Sequence, residues 1–223
     1  MNTQYDDKIF YAPDTNLFIL ASWNEDNERC QRSMNYFIEL EKNPNRTFLL
    51  QTVSDEIEHW VNGLASCTLQ FFSDYQDDLI DDFLERCDQR ESKPMEKEGK
   101  YLPYISLIRS VTKNNTEITK ERIRPVVKEV REKIRHYLYL FKKTNIIASP
   151  GSFEDSKHMI KIGDSGDEKH LYLISFYLAN HPDIQKFNFI TYDIKHLFHN
   201  RDPIKKWNNK INVVTPDSKG ELC

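Results

Sequence analysis

Short apolar runs, each followed by polar or acidic residues, recur along the chain. Such runs predict buried β-strands, because a strand covered on both faces needs apolar side chains at successive positions. The predicted strands cover residues 8–13, 47–51, 187–191 and 212–216. Residues 145–148 form either a further short strand or the end of the helix before them.

Apolar side chains at helical spacing predict helices between these strands. Ser22–Glu25 has the form of a capping box, which favours a helix directly after it. The apolar positions of that helix are Cys30, Met34, Phe37 and Ile38. Thr52 is expected to cap another helix, which follows the second strand. Strands alternating with helices predict an α/β fold with a central parallel β-sheet flanked by helices on both faces.

A second capping box, Ser165–Glu168, precedes the nearly all-apolar segment from Leu171 to Ala179. A helix that is apolar on every side is expected to be buried.

The middle of the chain, residues 66–145, differs in character from the rest. Apolar stripes beside long charged faces predict helices there, and Pro125 fits only near the start of one of them. The stripes are Phe72, Leu79, Phe83 and Cys87, then Ile123, Val127, Val130, Ile134, Leu138 and Phe141. Residues 101–110 are expected to add a short helix. We therefore predict one domain, residues 1–223, with a helical insertion at residues 66–145.

Charge in this insertion is divided between its two ends. Residues 74–98 have a net charge of −6, with a run of aspartates that is typical of a solvated helix face, whereas residues 119–143 have a net charge of +6. The two segments either neutralise each other by packing or leave the basic one free for a phosphate backbone. In the second case Lys128, Arg131 and Arg135 are the expected substrate-binding residues.

The composition restricts the class of protein. The chain has 223 residues, 39% of them hydrophobic, 30% charged, and a net charge of −4, so it is not coated with positive charge. No apolar run approaches the length of a membrane span, and the polar first residues do not resemble a secretory signal. The four cysteines are far apart and are expected to be reduced thiols. These features predict a cytoplasmic protein that does not bind membranes.

Acidic residues lie where the predicted strands end. Asp14, Glu56 and Asp193 each follow a strand directly or within one helical turn, and Asp167 lies in the first turn of the buried helix, close to Asp164. Since the carboxyl ends of parallel strands meet at one crevice, these acids are expected to converge. Their repulsion is tolerable only if a cation neutralises them or one is protonated.

Such a cluster of oxygen ligands predicts Mg²⁺ or Mn²⁺ and a phosphate-bearing substrate. His196 and His199 are not expected to bind zinc, because neither has a cysteine partner or belongs to a His-x-x-x-His pair.

Four segments together resemble the acidic motifs of the PIN-like domain family. They are Asp14–Asn16, Val53–Ile57, Gly163–Leu171 and Ile190–Leu197, in this order, and Val213–Asp217 is similar to the usual closing strand. The resemblance implies a nuclease with Asp14, Glu56, Asp167 and Asp193 as catalytic residues. Asp14, Asp167 and Asp193 are also expected to hold the metal ion, and Glu56 to complete the cluster directly or through water. Asp164 is an alternative metal ligand, and Asn16 and Thr191 support the metal site or bind substrate.

The resemblance implies a Mg²⁺- or Mn²⁺-dependent endonuclease that hydrolyses phosphodiester bonds, with RNA favoured over DNA. A toxin-type ribonuclease with an inhibitory protein partner belongs to the same interpretation, and a homodimer is possible within it. The competing hypothesis is a non-catalytic PIN-like module that binds RNA or a protein. A small-molecule phosphatase is disfavoured, since the chain lacks the expected Asp-x-Asp nucleophile motif.

Overall fold

Short parallel strands form the sheet of this protein, and helices flank it. The computed structural model describes residues 9–23, 28–42, 46–74, 101, 104, 120–141, 145–148 and 159–216. The fold is mixed α/β and mostly helical. Two compact units are present: residues 1–57 together with 133–223 form the first, and residues 58–132 form the second. The sheet belongs to the first unit.

The sheet consists of a three-stranded part and a two-stranded part. β1 (Ile9–Pro13), β4 (Lys186–Ile190) and β5 (Ile211–Val214) are parallel in the order β1-β4-β5, and β2 (Leu49–Leu50) pairs in parallel with β3 (Ile146–Ile147).

The two parts meet at the other edge of β1. The backbone N–H of Phe48 donates to the carbonyl of Tyr11 at 2.8 Å, and Tyr11 forms a parallel bridge with Thr47. The spatial order is therefore β3-β2-β1-β4-β5. From β1, the order runs through β2 and β3 to one edge of the sheet, and β4 and β5 lie on the other side. The switch point between β1 and β4 opens a crevice at the carboxyl ends of these two strands.

Six α-helices and one π-helical turn occur in the described part of the chain. They are α1 (Thr15–Ser22), α2 (Glu28–Lys42), α3 (Gln51–Asp74), α4 (Lys120–Tyr139), α5 (Ser165–Asn180), the π-helical turn (Ile194–Phe198) and α6 (Arg201–Trp207). Each of α1, α5 and the π-helical turn begins after an aspartate whose side chain accepts a backbone N–H of the first turn. This capping explains why these elements begin where they do.

Aromatic side chains fill much of the core of the first unit. Phe18 and Phe37 are fully buried with ring centroids 4.8 Å apart, and the ring of Tyr137 stacks on Phe37 at 4.4 Å. Phe187 and Phe189 of β4 are also fully buried. β4 is paired with β1 on one side and with β5 on the other. Burial of its side chains therefore also holds these two strands against the core.

The predicted strands and the parallel sheet are confirmed, and residues 145–148 contain the strand β3. The predicted apolar face of α4 is also confirmed for Ile123, Val127, Val130 and Ile134, which are all buried. Pro125 is inside α4, in its second turn. The sheet is small, since β2 and β3 have two residues each.

Two predicted helix caps are wrong. Ser22 is the last residue of α1, and its hydroxyl donates to the carbonyl of Ile19 at 2.7 Å. Thr52 lies inside α3, which begins at Gln51. Serine and threonine hydroxyls also bond carbonyls or side chains from within a helix, so these residue types do not fix a boundary.

The cap of α5 also differs from the prediction. Asp164 is the N-cap rather than Ser165. Glu168 instead accepts the backbone N–H groups of Ile162 at 2.8 Å and Gly163 at 3.2 Å, which closes the loop before the helix. Gly163 has a φ of 91°, a conformation that glycine adopts without strain.

Two predicted apolar faces are only partly buried. α5 is not covered on every side, because Phe176 is 41% exposed and Ala179 is exposed. In α2, Ile38 is 48% exposed while Tyr36 and Leu40 are buried. The buried face of α2 is therefore rotated from the one that the apolar residues alone predicted.

Several predictions fall outside the described residues. They include the aspartate run from Asp77 to Asp82, the stripe residues Leu79, Phe83 and Cys87, and most of the helix at 101–110. The bounds 66–145 of the insertion remain a prediction. Cys30 is buried and Cys67 is half-buried, and both are reduced cysteines. Within the described ranges, every helix is too short or too polar to span a membrane.

Candidate metal centre

Asp14 lies at the junction between β1 and α1. Its backbone N–H donates to the carbonyl of Ile190 at 2.9 Å, which continues the pairing of β1 with β4. Its carboxylate accepts the N–H of Thr15 at 2.6 Å and so caps α1. Asp14 is 5% exposed. The residue is therefore held at both its backbone and its side chain, directly at the switch point of the sheet.

The Thr191 hydroxyl connects the end of β1 to the end of β4. It donates to Asp14 Oδ2 at 2.6 Å and accepts the side-chain amide of Asn16 at 2.9 Å and the backbone N–H of Asp193 at 2.9 Å. Asn16 also accepts the backbone N–H of Tyr192 at 3.2 Å. Thr191 is fully buried, so it positions the two aspartates rather than contacting a substrate.

His170 links Asp14 to Glu56. Its Nε2 lies 3.3 Å from Glu56 Oε1 and 4.0 Å from Asp14 Oδ1, and its Nδ1 lies 2.7 Å from the Thr52 hydroxyl. Thr15 donates its hydroxyl to Glu56 Oε2 at 2.7 Å. His170 is 1% exposed. His170 was not among the predicted site residues, although its position three residues after Asp167 places the two on the same face of α5.

Asp164 and Asp167 lie at the start of α5. Asp164 Oδ1 accepts the N–H groups of Gly166 at 2.8 Å and Asp167 at 3.2 Å. Asp167 is 7% exposed, and its buried Oδ2 has no hydrogen-bond partner in the described part of the protein. That oxygen lies 3.9 Å from Nδ1 of His196.

Asp193 caps the π-helical turn that carries His196. Its Oδ1 accepts the backbone N–H of His196 at 2.8 Å, and its Oδ2 lies 3.1 Å from the same Nδ1. Nδ1 of His196 therefore faces two carboxylates, those of Asp193 and Asp167. The predicted cluster consisted of oxygen ligands alone, whereas the structure places His170 and His196 beside its carboxylates.

The pKa values of Asp14, Asp167 and Glu56 are shifted by burial and by the charges around them. Burial raises the pKa of Asp14, while the charge of His170 opposes this. Burial, followed by the charges of Asp14 and Asp193, raises the pKa of Asp167 to about 8. Burial also raises the pKa of Glu56, but the hydrogen bond and charge of His170 outweigh it and leave that pKa lowered.

His170 responds to the same groups. Burial alone would lower its pKa, but the hydrogen bond and charge of Glu56 and the charge of Asp14 raise it overall. The electrostatics of the centre thus favour a positive charge, from a proton or from a metal ion.

The structure brings Asp14, Glu56, Asp164, Asp167 and Asp193 into one region. Two sets have ligand atoms that all lie within 4.8 Å of one another: Asp14, Glu56 and His170, and separately Asp164, Asp167 and His196. Carboxylate oxygens and imidazole nitrogens are both metal ligands, and the unpartnered oxygen of Asp167 has the surroundings that a cation would satisfy. These residues could hold a metal ion.

The predicted basic residues belong to α4. Lys128 and Arg135 are exposed. Arg131 is half-buried and donates to the carbonyl of Val61 at 3.1 Å, so at least part of its guanidinium stabilises the packing of the second unit.

Comparisons with models of known protein families, with characterised proteins and with solved structures gave no significant match.

Proposed function

We propose that this protein is a metal-dependent phosphodiester hydrolase, most specifically a PIN-like ribonuclease. The observation that carries the proposal is the convergence of Asp14, Asp167 and Asp193 at the switch point of a parallel sheet. Buried carboxylates that repel one another cost free energy in folding. A protein that keeps them at a ligand-binding crevice gains from a cation there, and phosphate substrates supply further oxygen ligands to such a cation.

The protein groups around the centre have separate roles in this proposal. Asp167 and Asp193 supply negative charge to the cation, with Asp164 beside them. Thr191 and Asn16 fix Asp14 through two hydrogen bonds to its Oδ2, at 2.6 and 2.5 Å. A bound divalent ion would lower the pKa of an attacking water and stabilise the charge on the phosphate. Glu56 is partly exposed, and its proposed role is to accept a proton from such a water.

The proposal extends to the substrate, the metal ion and the cellular role of the protein. RNA, cut internally, is the proposed substrate, and Mg²⁺ or Mn²⁺ is the proposed ion. Lys128, Arg131 and Arg135 are proposed to bind the phosphate backbone, with Arg131 the weakest candidate because of its bond to Val61. A toxin-type role with an inhibitory partner in the cytoplasm, and a homodimeric state, are further proposals within the same framework.

Cleavage of single-stranded RNA by the purified full chain tests the proposal. We expect cleavage with Mn²⁺ or Mg²⁺, loss of it with a chelator, and a loss of at least about 100-fold in Asp14→Asn, since metal-centre electrostatics contribute several kcal/mol. Asp183→Asn is the matched control, because Asp183 is exposed and outside the centre. Wild-type protein that cuts neither RNA nor DNA, or equal activity in Asp14→Asn, would contradict the proposal.

A non-catalytic binding module is the second candidate. The network of His170, Glu56, Thr15 and Thr52 favours it, because hydrogen bonds within the protein stabilise these groups in the absence of an ion. RNA binding that is equally strong with and without a divalent ion, combined with no cleavage, would support this candidate.

A further inference from the structure

The two halves of the acidic centre differ in how far the protein satisfies their oxygen atoms. In the first half, Asp14 accepts from Thr15, Asn16 and Thr191. Glu56 Oε2 accepts from Thr15, and Glu56 Oε1 faces His170 at 3.3 Å. Each carboxylate oxygen in this half therefore has a donor supplied by the protein.

The second half has an oxygen without such a donor. Asp167 Oδ2 is buried, and the described part of the chain supplies it with no hydrogen bond. Leaving a buried carboxylate oxygen unpaired is costly, and the cost falls only if a proton or a cation reaches it. Asp164 and His196 each offer a ligand atom within 4.8 Å of one from Asp167.

The separations in this half suit a shared ion. Two ligands that are each about 2.1 Å from one ion lie about 3–4 Å from each other. His196 Nδ1 is 3.9 Å from Asp167 Oδ2 and 3.1 Å from Asp193 Oδ2. An ion among them would convert repelling carboxylates into ligands, and it would take the imidazole nitrogen as a further ligand.

We propose that Asp164, Asp167 and His196 hold a single divalent transition-metal ion, with Asp193 beside them, whereas Asp14, Glu56 and His170 bind no ion directly. This deepens the proposed function, because it assigns the cation of that site to one half and names its chemical class. Mg²⁺ strongly prefers oxygen ligands, while Mn²⁺ and later first-row ions also accept imidazole. The site therefore binds Mn²⁺ more tightly than Mg²⁺, and His196 is responsible for the difference.

Direct measurement of Mn²⁺ binding to the chelator-treated full chain tests this. Titration followed by electron paramagnetic resonance should give one Mn²⁺ per chain, and spin-echo modulation should show a directly bound ¹⁴N nucleus. His196→Ala should remove that modulation and weaken Mn²⁺ binding about 10-fold or more, the size expected for a lost ligand contact. Mg²⁺ binding, measured by competition, should change less than about threefold.

Two further variants locate the ion. His199→Ala removes an exposed histidine three residues away and should leave Mn²⁺ binding at the wild-type value. Glu56→Gln should still bind one Mn²⁺ with its ¹⁴N modulation. Circular dichroism of each variant in chelator checks that it is folded.

The inference would be overturned by two ions per chain, by no ¹⁴N modulation in the wild type, or by loss of the ion in Glu56→Gln. It would also be overturned if the wild type bound no divalent ion. Mn²⁺ bound through His196 without any RNA cleavage would refute the proposed function alone. Metal-dependent cleavage by His196→Ala at the wild-type rate would refute this inference alone.

Discussion

The single hydroxyl group of Thr191 makes hydrogen bonds at the ends of two strands, β1 and β4. It donates to Asp14 and accepts from both Asn16 and Asp193, so an apolar side chain at this position would lose all three hydrogen bonds. We expect Thr191→Val to lower the free energy of unfolding by about 1–3 kcal/mol, because a buried carboxylate loses its donor. Denaturant unfolding monitored by circular dichroism measures this. Thr191→Ser keeps the hydroxyl and should lose about 1 kcal/mol or less, the effect of one methyl group.

A loss in Thr191→Val no larger than that in Thr191→Ser would contradict the expectation, because the hydrogen bonds of the hydroxyl would then contribute no more than one methyl group. The two variants should also differ in Mn²⁺ affinity. Thr191→Val should bind Mn²⁺ more weakly than Thr191→Ser, because the backbone N–H of Asp193 loses its acceptor.

Asp167 gives the metal-free protein a specific pH dependence. The unfolded chain releases the Asp167 proton near pH 3.8, while the folded protein retains it up to about pH 8. The folded state binds more protons between these values, so this contribution to stability is complete below pH 3.8 and is lost as pH rises through 8. Asp167→Asn removes the dependence. One pKa unit corresponds to about 1.4 kcal/mol, so we expect the variant to be more stable by at least about 1 kcal/mol at pH 8.

Thermal or denaturant unfolding in chelator from pH 5 to pH 9 measures this difference. Asp183→Asn, at an exposed position, should follow the wild-type curve. A wild type whose unfolding free energy is no lower at pH 8 than that of Asp167→Asn would show that the Asp167 carboxylate is already compensated without metal.

At the scale of elements, α3 carries a glycine where most helices would favour alanine. A Cβ at Gly63 would lie 2.0 Å from the hydroxyl oxygen of Tyr104 and 2.9 Å from its Cζ. Tyr104 is 6% exposed and its ring stacks on Trp60 at 5.9 Å, so it has little room to move. The close approach of this helix to a buried ring therefore requires glycine.

Gly63→Ala is expected to destabilise the protein by up to about 2 kcal/mol, because overpacking costs about 1–3 kcal/mol and the helix-propensity gain of about 1 kcal/mol offsets only part of it. Denaturant unfolding measures it. Asn62→Ala, at the exposed neighbouring position, should be neutral or slightly stabilising. Adding Tyr104→Phe to Gly63→Ala should recover part of the loss. If Gly63→Ala alone is stabilising, the close contact does not govern this position.

Element identity was predictable where one physical signal dominated. β1, β4 and β5 follow from apolar runs, and the buried face of α4 follows from its spacing of apolar residues. Element boundaries were less predictable, because Ser22 and Thr52 use their hydroxyls inside helices rather than at caps. α1 was not predicted, because its start depends on capping by Asp14, and that aspartate was assigned to the metal centre alone.

Across the whole molecule, the acids of the centre were predictable from the sequence, whereas its histidines were not. Asp14 and Asp193 were predictable because strand ends converge in any parallel sheet. His170 and His196 were not, because each is defined by partners on other elements: Glu56 on α3 for His170, and Asp167 on α5 for His196. The small size of the sheet also escaped prediction, since β2 and β3 are short parts of longer apolar runs.

The pairing of β1 with β4 has a consequence for synthesis of the chain. Asp14 and Thr191 are 177 residues apart. At a translation rate of about 5–20 residues per second, β1 leaves the ribosome about 10–35 s before β4. During that interval its backbone groups on that edge lack their native partner, and an unpaired strand edge is prone to aggregation. The nascent chain is therefore expected to need chaperone protection until its last third emerges.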